Sequence, residues 1–209
     1  MMKVVISAGP TREKIDVVRF ISNRSSGKMG YALAQAAVEQ GHQVILVSGP
    51  VAITPPAGAE LVKVESASEM AAAVKSHAAE ADIVIMAAAV ADYRPTKSLD
   101  GKMKKGEGGM VLELERTEDI LLSLGAAKRT GQLLVGFAAE TEDLLKNARK
   151  KLERKKLDWI IANDVSDRDR GFGSDRNEVT MLARTGRIIK IPLADKLGVA
   201  REIFANFNA

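Results

Sequence analysis

The chain has 209 residues, no cysteine, two histidines and a formal net charge of +4. Without thiols there is no disulfide scaffold, no Cys-based zinc site and no thiolate nucleophile, and His42 and His77 alone argue against a histidine-rich metal site or a Ser-His-Asp triad. Aromatic residues are 4% of the chain, too few for a platform that stacks single-stranded nucleic acid, and the mild positive balance suits an anionic small molecule.

In chain order, Lys3 to Ser7 (KVVIS) reads as a buried strand closed by Gly9-Pro10. Lys28 to Gln40 reads as a helix stopped by Gly41, and its alanines at 32, 34, 36 and 37 allow close packing on a sheet. Gln43 to Val47 and Leu61 to Val64 are the next strands. Ser66 and Glu69 form a capping box for the helix that follows. Ile83 to Met86 is a fourth strand and opens the longest apolar run, Ile83 to Ala91. That run is far short of the ~20 residues a membrane span needs. The N-terminus lacks a signal-peptide pattern, so the expected setting is the cytoplasm, with no membrane partner.

A loop rich in Gly and Lys runs from about Arg94 to Gly109. A strand (Val111 to Leu114), a helix (about Asp119 to Lys128), a strand (Leu133 to Phe137), a helix (Glu142 to Lys156) and a strand (Trp159 to Ala162) follow. Glu178 to Leu182 and Arg187 to Ile191 flank Arg184-Thr185-Gly186 as a hairpin, and the last helix is about Leu193 to Phe207. Short strands alternating with helices specify βαβ units and a parallel sheet. The expected fold is α/β: one domain over 1–209, Rossmann-like and doubly wound, with a mostly parallel sheet and an antiparallel hairpin at one edge. Ligands of such sheets bind beyond the carboxyl ends of the strands. That rule singles out Gly9 to Arg12, Ala87 to Asp92, Ala138 to Thr141 and Asn163-Asp164.

Ile21 to Gly30 (ISNRSSGKMG) places Ser25, Ser26 and Gly27 where a helix begins. Small residues there leave backbone N–H groups exposed, and the helix dipole adds positive potential, so an anion fits. The segment is neither a P-loop nor GxGxxG: Ser22 and Met29 stand where a P-loop needs Gly and Ser or Thr. An ordinary N-capped helix start is the plainer reading. Asn23 offers an amide to a carbonyl, or is a turn residue. Asp92 can accept bonds from a ribose, a base or a hydrated metal, or cap a loop. Lys102-Met103-Lys104-Lys105, between Gly101 and the glycines at 106, 108 and 109, can close over a polyphosphate or be solvated surface. Lys151 and Lys155, on a run of basic residues from Lys146 to Lys156, share a helix face. A solvated face explains most such runs. No carboxylate pair has a His or Cys partner, so the pattern favours positioning and charge neutralisation over covalent hydrolysis.

SAGPTRE (Ser7 to Glu13), FISNRSSGKMG (Phe20 to Gly30), VSGP (Val47 to Pro50), AAAVADYR (Ala87 to Arg94), KMKK (Lys102 to Lys105), GFAAET (Gly136 to Thr141) and ANDV (Ala162 to Val165), in this order, resemble phosphopantothenate–cysteine ligase along essentially the whole chain. The resemblance implies a two-step reaction of coenzyme A biosynthesis. The carboxylate of 4′-phosphopantothenate attacks the α-phosphate of CTP, giving an acyl-cytidylate and pyrophosphate, and the amine of L-cysteine then displaces CMP. It also implies Mg2+ or a similar divalent cation, and a homodimer in which the antiparallel portion joins the interface and the partner reaches the site. In most bacteria such a domain is fused to a flavin-dependent decarboxylase. That enzyme is the expected fused or separate partner, and no flavin is expected in this chain.

Carried over residue by residue, Asn23 matches the asparagine that holds the acyl-cytidylate, its amide donating to oxygens that gain charge. Arg19 matches an arginine near the same site. The backbone of Ala88 is expected to read the base, Asp92 to serve the nucleotide site, and Lys102 to neutralise charge from a mobile loop. Phe137, Lys151 and Lys155 match nucleotide-binding positions. Ser25, Ser26, Gly27 and Lys28 are the expected substrate and phosphate contacts. Where the family often has Asn-Pro-Asp-Ile at a phosphate-docking helix start, the corresponding stretch here is Arg116-Thr117-Glu118-Asp119-Ile120. Glu118 in place of proline leaves the phosphate contact at Glu118, Asp119, Ile120 and Leu121 open. No metal ligand is assigned. A nicotinamide-dependent oxidoreductase on the same fold is the alternative. It needs a glycine fingerprint and an acid ending the second strand, where this chain has Ser48-Gly49. A basic nucleic-acid-binding module is weaker still.

Overall fold

A computed structural model describes residues 1–104, 109–140, 143–164 and 174–207. The chain runs β1 (Lys3–Ala8), β2 (Arg12–Lys14), β3 (Phe20–Ser22), α1 (Lys28–Glu39), β4 (Gln43–Ser48), β5 (Ala59–Lys63), α2 (Ala67–Ala78) and β6 (Ile83–Met86). It continues with β7 (Tyr93–Pro95), β8 (Leu114–Arg116), α3 (Ile120–Ala127), β9 (Leu133–Glu140), α4 (Leu144–Arg154), β10 (Trp159–Asp164), β11 (Arg176–Ala183), β12 (Ile188–Asp195) and α5 (Lys196–Phe207).

Eight strands form one sheet in the order β12-β11-β10-β9-β6-β1-β4-β5. The six from β10 to β5 are parallel, and β11 and β12 are antiparallel at one edge. The expected doubly wound architecture with its edge hairpin is therefore present. Its cause is visible in β1, whose side chains alternate between two helical layers. Val4 and Ile6 join a core with α1 and α5, while Val5 joins a core with α2, α3 and α4. A strand covered on both faces reads as an unbroken apolar run, as Val4-Val5-Ile6 does. The strand order reverses between β1 and β6, and a crevice opens there at the carboxyl ends.

Glycine sets how closely α1 approaches that crevice. A β-carbon on Gly30 would stand 2.5 Å from the Ala8 Cβ and 3.1 Å from the Ser7 carbonyl oxygen. Its absence lets the first turn of α1 lie against the end of β1.

Two features differ from the sequence reading. Two small antiparallel ribbons, β2–β3 and β7–β8, stand outside the main sheet. The strand expected at Val111 to Leu114 is β8, at Leu114–Arg116, and it pairs with β7 rather than entering the core; Val111 is 92% exposed. The Ser66 hydroxyl does accept the Glu69 N–H at 3.2 Å, but the Glu69 carboxylate takes the N–H of Glu65, at 2.8 Å, not that of Ser66. The expected helix start at Glu142 lies outside the described residues, and α4 begins at Leu144. Among the described residues no helix is long and apolar enough to cross a membrane.

Candidate functional site

A cavity of about 870 Å³ opens at the carboxyl ends of β6, β9 and β10. Asn23 to Gly30 form one wall, Met86 to Val90 with Asp92 a second, and Arg116 to Leu121 a third. Phe137, Ala138, Lys151, Arg154, Lys155, Asn163, Asn177 and Lys196 are among the other lining residues. Of the expected site residues, Asn23, Ser25, Ser26, Gly27, Lys28, Ala88, Asp92, Glu118, Asp119, Ile120, Leu121, Phe137, Lys151 and Lys155 thus meet around one space.

The first wall is a helix start. Gly27 is the N-cap of α1 at φ 79, with no side chain capping the helix. A β-carbon there would reach to 2.8 Å from Val51 Cγ1 as well as straining the backbone. The first-turn N–H groups of α1 are thereby left for an anion. The Ser25 hydroxyl accepts the Gly27 N–H at 3.3 Å. Lys28 pairs with Asp175, at the start of the edge hairpin.

Asn23 spends its amide hydrogens on the protein. Its Nδ2 donates to the Ala89 carbonyl at 3.0 Å and the Val90 carbonyl at 3.2 Å. The residue therefore fixes the turn after β6 against the start of α1, and its Oδ1 is the atom left over. The same turn is held from β1 and the segment after it: the Ser7 hydroxyl accepts the Ala88 N–H at 3.1 Å, and the Thr11 hydroxyl accepts the Ala91 N–H at 2.9 Å. Ser7 and Thr11 are fully buried.

The third wall answers the charge question posed by Glu118. Its carboxylate pairs with Lys75 of α2 at 2.5 Å and accepts the Ser123 hydroxyl at 2.6 Å. The Lys75 contact, first, holds it below the usual carboxylate range. Its charge is neutralised from outside the cavity. Asp119 caps α3 by accepting the Leu122 N–H at 3.1 Å, and it pairs with Lys155 at 2.8 Å and Arg154 at 3.5 Å. Lys151, Arg154 and Lys155 also sit in the last turn of α4, where cations offset the helix dipole.

Arg19 and Lys102 do not line this cavity. Arg19 is drawn aside because its guanidinium pairs with Asp16 at 2.8 Å. Lys102 lies on a segment tied to the same residue: the Met103 N–H donates to Asp16 Oδ2 at 3.1 Å. Lys105 and the glycines at 106 and 108 lie outside the described residues, as do Thr141 and Val165.

Asp16 is a residue that sequence reasoning missed. It is 2% exposed. Its carboxylate accepts the Val18 and Arg19 N–H groups at 2.8 and 2.7 Å besides the contacts above. These bonds, the Val18 N–H foremost, hold its pKa below the ordinary value. An aspartate two and three residues before its N–H donors is the signature of an Asx turn, and that signal was available in Asp16-Val17-Val18-Arg19. Lys196, Asn177, Arg154 and Lys75 were also not foreseen. Among the described residues no group of three or more His, Asp or Glu is placed to hold a metal ion.

Comparison with known proteins gives a consistent result. The family described as the DNA/pantothenate metabolism flavoprotein C-terminal domain matches residues 1–209. The coenzyme A biosynthesis bifunctional protein CoaBC of Bacillus subtilis is 55% identical over 99% of this chain and 51% of its own length. The chain thus spans about half the length of such relatives. A crystal structure of the C-terminal domain of a CoaBC protein aligns with a TM-score of 0.85 at 48% identity, covering 99% of this chain and 93% of that one. A Cab2 mutant in complex with phosphopantothenate-cysteine aligns at 0.81 and 18% identity, over 99% of this chain and 86% of that one, a likeness of fold alone. Matched from its first residue to its last, the chain belongs to the family of the DNA/pantothenate metabolism flavoprotein C-terminal domain.

Proposed function

We propose that the domain is an acid–amine ligase that joins 4′-phosphopantothenate to L-cysteine in coenzyme A biosynthesis, with CTP as the activating nucleotide. The observation that carries this reading is the cavity at the sheet's switch point, where an uncapped helix start faces Lys151, Arg154 and Lys155. It offers anion donors and cations around a space large enough for a nucleotide and a small acid. The names of the CoaBC relatives support the pathway.

In the first step a carboxylate oxygen bonds to the α-phosphorus of CTP and pyrophosphate leaves. In the second the cysteine nitrogen bonds to the acyl carbon, loses a proton, and CMP leaves. The start of α1 and the α4 cations hold phosphoryl groups and offset their charge. Asn23 keeps the Ala89–Val90 turn in place, so that carbonyls and Asp92 present a fixed edge to base and ribose. Were a divalent cation such as Mg2+ to enter with the substrate phosphates, Asp92 would be the lining carboxylate to help hold it, and the ion would supply charge neutralisation at those phosphates.

Arg19 stands between exposed apolar neighbours, Val17, Val18 and Phe20, which are 46 to 59% exposed. This setting supports a homodimer that delivers Arg19, with the Lys102 segment, to the site. The decisive assay is pyrophosphate release from CTP. Release that requires both phosphopantothenate and a divalent ion, followed by CMP release on adding cysteine, is the expected result. No release with any nucleoside triphosphate overturns the reading. Binding that ignores free nucleotides and weakens steeply with salt would favour a nucleic-acid module instead.

A further inference from the structure

We propose that Lys196 is a phosphoryl-binding residue of this cavity and grips the polyphosphate tail of the nucleotide; the naming of a nucleotide rests on the ligase reading. Lys196 opens α5 and lines the cavity together with Lys28 and Asn177. It is 8% exposed and is the one buried cation among the described residues.

An ammonium removed from water is costly unless it is paired. Among the described residues the compensation is incomplete. The Lys196 Nζ donates to the Ser174 carbonyl, which uses one of its three N–H donors. The carboxylate that acts on it electrostatically, Asp175, is itself engaged by Lys28 and is 82% exposed. Burial first, and the Lys28 charge second, push the Lys196 pKa below that of an ordinary lysine. Among the described residues, two lysines and the open first turn of α1 therefore share one region, and Asp175, a solvated carboxylate, is the acid that acts on both lysines. Asn177, 4% exposed, adds a buried amide whose recorded side-chain donation is a weak 3.9 Å contact to Met29 sulfur. An arrangement with excess positive potential around a cavity is completed by a multiply charged anion. A lysine that merely tied α5 to residue 174 would have no reason to line the cavity beside a second cation.

The test is titration calorimetry on the full chain, wild type and Lys196→Met, with tripolyphosphate, CTP, CMP and phosphopantothenate as separate probes. Lys196→Met is expected to bind tripolyphosphate and CTP about 10- to 100-fold more weakly, the range lost with a charge-assisted hydrogen bond. CMP affinity should stay within about twofold, and Lys196→Arg should restore most of the loss. A loss confined to phosphopantothenate would overturn the polyphosphate assignment. Equal affinities for every probe, in a variant that melts like the wild type, overturn the proposal. Should Lys196→Met fail to fold, Lys196→Gln retains a donor for the Ser174 carbonyl and carries the same comparison. Wild-type chain that binds tripolyphosphate but never releases pyrophosphate from CTP removes the ligase reading and leaves the role of Lys196 standing. An active ligase indifferent to Lys196→Met does the reverse.

Discussion

The carbonyl oxygen of Lys155 lies 1.9 Å from the point where a β-carbon on Gly125 would stand. α3 and the end of α4 therefore touch backbone to backbone, and this contact sets the height from which the Lys155 side chain reaches Asp119. Gly125→Ala must push the two apart. Overpacking of this kind costs about 2–3 kcal/mol, and it shifts a cation of the cavity wall. The expected outcome is a lower melting temperature with CTP affinity reduced about tenfold. Unchanged melting and binding would mean that the helices separate without consequence.

Asn23→Asp places a carboxylate 3.0 and 3.2 Å from two carbonyl oxygens that now receive amide hydrogens. Like partial charges repel, and the Ala89–Val90 turn loses its anchor. Pyrophosphate release should fall by about 100-fold, as for a misplacement of ~1 Å at a reacting centre. A steady-state assay on folded variant checks this, and a wild-type rate would remove the positioning role of Asn23.

Asp16→Asn separates the tether from the cavity. An amide turned toward Arg19 and the Met103 N–H meets donors with a donor, so the Lys102 segment is released. Turnover is expected to drop about 100-fold, while CTP affinity stays within about twofold because neither Arg19 nor Lys102 lines the cavity. Lys102→Gln should slow turnover comparably yet leave the tether whole, since the bond is made by the Met103 backbone. Rate assays beside calorimetry distinguish the two variants.

His42 supplies a pH prediction. Both ring nitrogens are buried with no hydrogen-bond partner among the described residues, and the ring lies 6.2 Å from that of Phe204. Burial first, with the N-terminal ammonium adding to it, lowers its pKa from the ordinary 6.5. The unfolded chain therefore binds a proton more readily than the folded one. Stability is highest with the ring neutral and falls as pH drops through about 6.5 toward the lower folded value. Melting curves between pH 7.5 and 5 should show this decline in the wild type and a smaller one in His42→Phe. Parallel declines would assign the acid sensitivity to other groups.

The doubly wound sheet was legible because its signals are local. The centre of KVVIS, Val4-Val5-Ile6, is apolar throughout, the alanines of α1 permit close packing, and Arg184-Thr185-Gly186 separates two alternating stretches. The ribbons β2–β3 and β7–β8 were not legible, since three-residue strands on the surface carry no period. Most of the cavity lining could be placed because it follows strand ends. The partners of Asn23, Glu118 and Asp16 could not be, because each lies on a distant part of the chain: Ala89, Lys75 and Met103 are brought in by topology, which residue spacing does not encode. Lys196 escaped for the opposite reason. A lysine opening a helix has no sequence mark of burial.

Leu99 donates its N–H to the Ile15 carbonyl at 3.0 Å, and four residues later Met103 is bound to Asp16. Lys102 is thus stitched to the β2–β3 hairpin at two points that bracket it, so its backbone moves with that hairpin while these bonds hold. Under the proposed function, a closure over bound substrates would carry hairpin and lysine together as a single lever, so that Arg19 and Lys102 would reach the site in the same stroke.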